Sequence, residues 1–133
     1  MGFRLPNGIP EIKLWMATSH MHYVGTDMII GVDRVEPEPG SGIDDECLIQ
    51  TPNYDFNWQR GYAYDADLDE VPTARAGDAL YMRCTYDNSM GNPFVVEALA
   101  EQGLDAPVDV YLGEETLDEM CLGVFGIAYS ILP

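Results

Sequence analysis

From Glu11 to His22 the chain runs Glu-Ile-Lys-Leu-Trp-Met-Ala-Thr-Ser-His-Met-His, with Ile12, Leu14 and Met16 on the same parity as His20 and His22. A period of two puts residues on one face of a β-strand, whereas a helical face needs spacings of three and four. Similar segments recur at Met28–Val32, at Leu48-Ile49 before Thr51-Pro52, and at Phe56–Tyr64, where Trp58, Tyr62 and Tyr64 share a parity. They recur again at Ala79–Tyr86 after the turn Ala76-Gly77-Asp78, at Val108–Leu112 and at Leu122–Ile131. The 13 glycines and 9 prolines punctuate these segments about every ten residues. Short strands at that spacing predict an all-β chain folded as a β-sandwich. Only Pro93–Gln102 reads as a short helix or ordered loop, with Val95, Val96, Leu99 and Ala100 clustered and Gly103 as a stop. No internal repeat is visible.

The 133 residues, 47% of them hydrophobic, suffice for one domain, residues 1–133, with a real core. The net charge is −17, from 23 acidic and 6 basic side chains. That balance excludes the basic patch a nucleic-acid partner needs, and it disfavours an anionic membrane surface. It fits a solvated acidic surface, with attraction of cations as the functional alternative. No run approaches the ~18 apolar residues of a membrane span. The opening Met1-Gly-Phe-Arg-Leu-Pro6 lacks a signal-peptide pattern and reads as a point inside a longer protein.

His20 and His22 are the two histidines of the chain, and at spacing i, i+2 both rings reach one point from a single strand. Met21 between them faces the other way. Imidazole pairs suit zinc, copper, iron or nickel, and a thioether as third ligand draws the choice toward copper, above all Cu(I). Met120, followed by Cys121 on an expected strand, is the candidate third ligand, and Met90 in a loop is its rival. Met16, Met28 and Met82 read as core fillers. Three protein ligands leave a coordination position open for water, dioxygen or substrate. Asp118 and Glu119 read as partners of the ligands or of a turn.

Other chemistries find little support. Asp65-Ala-Asp-Leu-Asp69 has the opening spacing of a calcium loop, but Glu70 and Ala76 stand where glycine and glutamate are required. No serine or cysteine sits in a nucleophile frame, and there is no Gly-rich phosphate loop. The aromatic and polar run Tyr54-Asp-Phe-Asn-Trp-Gln59 offers Gln59 and Asn57 as a candidate substrate face, or else an ordinary packed strand.

The segments Ala17-Thr-Ser-His-Met-His-Tyr-Val-Gly25, Arg83-Cys-Thr-Tyr86 and Thr116-Leu-Asp-Glu-Met-Cys121 occur in that order. Over roughly residues 10 to 131 the chain resembles the C-terminal copper domain of the ascorbate-dependent type II copper monooxygenases. Peptidylglycine α-hydroxylating monooxygenase and dopamine β-monooxygenase are familiar members. The resemblance implies an antiparallel sandwich of jelly-roll type and one copper on His20, His22 and Met120, where dioxygen meets a small-molecule or peptide-like substrate. It implies a Cys84–Cys121 disulfide, hence a periplasmic or extracellular setting, and leaves Cys47 unpaired. It also implies a second copper, reduced by ascorbate and held by three histidines in an N-terminal domain. This chain has no third histidine, so it is expected to be inactive alone: one half of a larger enzyme, or a Cu(I)-binding, storage or electron-transfer module. A sandwich that has lost its metal is the remaining expectation.

Overall fold

A computed structural model describes residues 1–130. Its elements are β1 (Gly2–Arg4), β2 (Ile12–His20), β3 (Gly25–Asp33), β4 (Asp45–Thr51), β5 (Gly61–Ala63), β6 (Thr73–Ala74), β7 (Ala79–Tyr86), α1 (Pro93–Glu101) and β8 (Leu122–Ala128). The strands form two antiparallel sheets, an all-β sandwich. One sheet has the order β1-β7-β3-β4. In the other, β2 pairs with β8 along one edge and with β5 and β6 along the opposite edge.

The core follows from alternation on β3, where Met28, Ile30 and Val32 are fully buried. Each such side chain stabilises the fold by about 1.5–3 kcal/mol. Across the sandwich β8 presents glycine: a Cβ on Gly123 would stand 3.1 Å from the Ile30 side chain. The sheets approach closely there because that position lacks a side chain.

On β2 the expected parity does not hold throughout. Ile12 and Leu14 are buried, but the ladder with β8 shifts between Leu14 and Met16, with Trp15 as the extra residue. One inserted residue moves every later side chain to the opposite face. Beyond it Ala17, Ser19 and Met21 are the buried set, and Met16, Thr18 and His20 turn to the outer face. His20 therefore does not continue the face begun by Ile12 and Leu14 but lies on the opposite side of the sheet, and His22, expected on the same strand, stands two residues beyond its end and is buried.

Other expectations are adjusted as well. Phe56–Trp58 is a 3-10 turn, because the Asp55 carboxylate accepts from the Asn57 amide at 2.8 Å, and only Gly61–Ala63 of that stretch is a strand. Val108–Leu112 forms no strand; it contributes a single parallel bridge, Leu112 to Glu119. The last strand ends at Ala128, and its expected end at Ile131 lies outside the described residues. The helix begins on Asn92, whose side chain accepts from the Phe94 amide, with Pro93 at its first position. It buries Val95, Ala98 and Leu99, while Val96 is 38% exposed. Gly103 stops it at φ +70°. The stretch Asp65–Asp69 is exposed turn. No helix among the described residues is long and apolar enough to cross a membrane.

Candidate metal centre

The two histidines stand where β2 leaves its sheet. In register, His20 lies opposite Leu122 of β8. On its other edge β2 meets β5 with Thr18 opposite Gly61, and the same register continued by two residues brings Gln59 opposite His20. The side chains meet: Nδ1 of His20 bonds Oε1 of Gln59. The Gln59 Nε2 donates to the Phe56 carbonyl at 2.7 Å, which fixes the orientation of the amide. Its oxygen therefore faces the imidazole, and His20 must donate from Nδ1. His22 repeats the arrangement, with Nδ1 3.0 Å from the Asp118 carbonyl oxygen, which can only accept. With Nδ1 donating, Nε2 carries the lone pair in the neutral form of each ring. A histidine that ligates a metal through one nitrogen ordinarily donates its other N–H to an oxygen in this way.

The ring centroids are 5.2 Å apart with planes at 84°. His22 is 7% exposed, covered by Phe56 at 5.8 Å edge to face, whereas His20 is half-buried. Met21, between them, is buried in the cluster of Met28, Ile30 and Tyr54. The Tyr54 hydroxyl donates to the Met21 carbonyl at 2.5 Å and accepts from the Met21 amide at 2.9 Å. Burial pushes the Tyr54 phenol up, and the carboxylates of Glu119 and Asp55 add to that rise. Tyr54 thus grips the one residue that spaces the two imidazoles. Tyr54→Phe leaves both Met21 groups unpaired in the core and is expected to cost about 1–3 kcal/mol, read as a lower urea midpoint with an unchanged slope.

Met120 and Cys121 are not on a strand, as their alternation suggested; they lie on the segment that leads into β8, which begins at Leu122. The β2–β8 register, continued past His20–Leu122, sets Met120 opposite His22. One carboxylate oxygen, Glu119 Oε1, accepts from the His22 amide at 2.5 Å and from the Met120 amide at 2.7 Å. The two amide nitrogens are therefore no farther apart than those two bonds laid end to end. Cys121 turns inward, and its disulfide to Cys84 spans 37 positions of sequence and joins the two sheets. Met120 belongs to none of the buried clusters and is half-buried. Among the described residues no three of the types His, Cys, Asp and Glu converge on one point. The backbone register brings Met120 opposite His22.

The donor set fits copper in its chemistry: two neutral imidazoles with lone pairs on Nε2 and one thioether suit the softer, reduced ion. Met90 stands 50% exposed in the turn before α1, and the shared carboxylate ties Met120, not Met90, to His22. Gln59 is exposed and bonds His20 through its oxygen and the Phe56 carbonyl through its nitrogen; Asn57 is exposed on the 3-10 turn. Asp118 accepts from the Glu115 amide in a turn and lends its carbonyl to His22. Cys47 is free and exposed on β4, its thiol pushed up by partial burial and by Asp45.

Sequence reasoning missed the grip of Tyr54 on Met21, the bond of Gln59 to His20 and the reach of Glu119 to the His22 amide. Each acts across a sequence separation of more than thirty residues, and no local spacing signals such a contact. No model of a known protein family matches the chain, and no curated protein matches it.

Proposed function

We propose that this chain is a copper-binding domain of the kind that serves dioxygen and substrate in ascorbate-dependent copper monooxygenases, with His20, His22 and Met120 as ligands. The observation that carries the reading is the pair of imidazoles that both donate from Nδ1 and so carry their lone pairs on Nε2. The neighbourhood of Met120 and His22 across the β2–β8 register adds to it. Copper held there supplies the one-electron chemistry by which dioxygen is activated and a C–H bond hydroxylated. The protein's own part is to orient two imidazoles and to bring a thioether from the segment that leads into β8. The jelly-roll winding, a periplasmic or extracellular setting inferred from the disulfide, and ascorbate as reductant belong to the same proposal.

The chain holds two histidines, so a three-histidine copper site requires a second domain. Hydroxylation is accordingly assigned to the assembly of this domain with such a partner. The second reading, a module that binds Cu(I) or passes electrons without hydroxylation, is favoured by that same histidine count.

Titration of the reduced protein with Cu(I) under anaerobic competition tests the site. One equivalent is expected to bind tightly, and His20→Ala and His22→Ala are each expected to remove stoichiometric binding. Unaltered binding in both variants would dismiss the site. Ascorbate-dependent oxygen uptake by this domain joined to a three-histidine domain, against this domain alone, separates the hydroxylase reading from the storage reading.

A further inference from the structure

The buried charged side chains of the described residues are Arg34, Asp78 and Glu119, at 5%, 3% and 7% exposure. Two of them are accounted for. The charge of Arg34 is met by Glu38 at 3.2 Å and Glu46 at 2.6 Å, although its buried Nε and Nη1 make no hydrogen bond. Asp78 accepts from the Val35 amide on one oxygen and from the Arg75 amide on the other. Glu119 is not: Oε1 takes the amides of His22 and Met120, Oε2 is buried with no hydrogen-bond partner, and neither lysine nor arginine pairs with it. A carboxylate withdrawn from water without a compensating cation is costly.

We propose that Glu119 is the buried counter-charge of the metal centre, a positioning residue whose carboxylate both ties the two ligand-bearing backbones together and balances the charge of the ion. This rests on the copper reading above. Two imidazoles and a thioether are neutral, so they leave the ion's charge uncompensated. Glu119 is the residue preceding Met120 and accepts from the backbone amides of both His22 and Met120, so its charge lies beside two of the proposed ligand residues. Attraction grows with the charge of the ion, so the carboxylate favours Cu(II) more than Cu(I). It thereby opposes the preference of the thioether for Cu(I), and the balance of the two sets the poise of the site. Burial and then the Glu119 carboxylate push the Tyr86 phenol up, so the same charge bears on its other neighbours too.

Two substitutions separate charge from clamp. Glu119→Gln keeps an acceptor for both amides and removes the charge. It is expected to lower the ratio of Cu(II) to Cu(I) affinity about tenfold, which is about 59 mV upward in a one-electron potential. Glu119→Asp keeps the charge and shortens the reach, so both affinities are expected to fall while their ratio holds. The readouts are competition titrations in each oxidation state, with circular dichroism to check the fold. If the wild type binds no copper, the copper reading fails and this proposal with it. If the wild type binds copper and Glu119→Gln leaves the ratio within about twofold, or weakens both states alike, the counter-charge is overturned and the copper reading stands. Should Glu119→Gln not fold, Glu119→Asp decides: a fall in the ratio overturns the proposal.

Discussion

Replacing both Cys84 and Cys121 by serine is expected to lower the stability by about 3 kcal/mol, seen as a fall of roughly 10 °C in the thermal midpoint. The bridge closes a 37-residue separation and links sheet to sheet, from an inward position on β7 to the residue before β8. Most of its effect lies in the unfolded chain, where it removes the freedom of that loop. In the folded chain it lies beside Met21, Met28, Ile30 and Tyr54, the cluster that backs the histidines. Loss of the bridge is therefore expected to weaken Cu(I) binding as well, because Met120 is the next residue and loses its anchor. Reduction of the wild-type disulfide with a thiol is expected to give the same two changes. A double variant that melts within about 2 °C of the wild type would show that the sheets hold together without it.

Met120→Ala is expected to lower Cu(I) affinity about tenfold or more, on the footing that a thioether selects the reduced ion, while Cu(II) affinity changes much less. The two imidazoles remain, each with its Nδ1–H still held by Gln59 or by the Asp118 carbonyl, so a weaker two-coordinate site survives. Competition against a Cu(I) chelator measures the loss, and the absorption of the Cu(II) form checks that the histidines are undisturbed. The side chain is half-buried and belongs to no core cluster, so its removal should leave the thermal midpoint nearly unchanged. Equal Cu(I) affinity in the two proteins would take Met120 out of the site, and Met90→Ala would then be the variant to measure.

Much of the fold was legible because it is written in short-range patterns. Ala79–Tyr86 is the strand its alternation describes, and the α-helix begins at Pro93 and stops at Gly103 as read. Within Phe56–Tyr64 only Gly61–Ala63 is the strand expected; Phe56–Trp58 was misread because its aromatic alternation mimics a strand, whereas the Asp55 carboxylate draws the backbone into a 3-10 turn. Val108–Leu112 was misread because its apolar residues find no strand to pair with beyond one bridge to Glu119.

The chain by itself determined that this is a β protein, since the period of a strand is a local property of the backbone, and the i, i+2 spacing keeps the two histidines close even though β2 ends at His20. Which face of the sheet His20 takes was decided only by the tertiary structure. The register shift at Trp15 exchanges inside for outside halfway along β2, and it exists only because β8 pairs there. The Nε2 lone pairs of both imidazoles, and a carboxylate shared by His22 and Met120, were likewise decided by partners brought from distant positions. A hydrogen bond depends on distance in space, and sequence spacing sets that distance only within a single element.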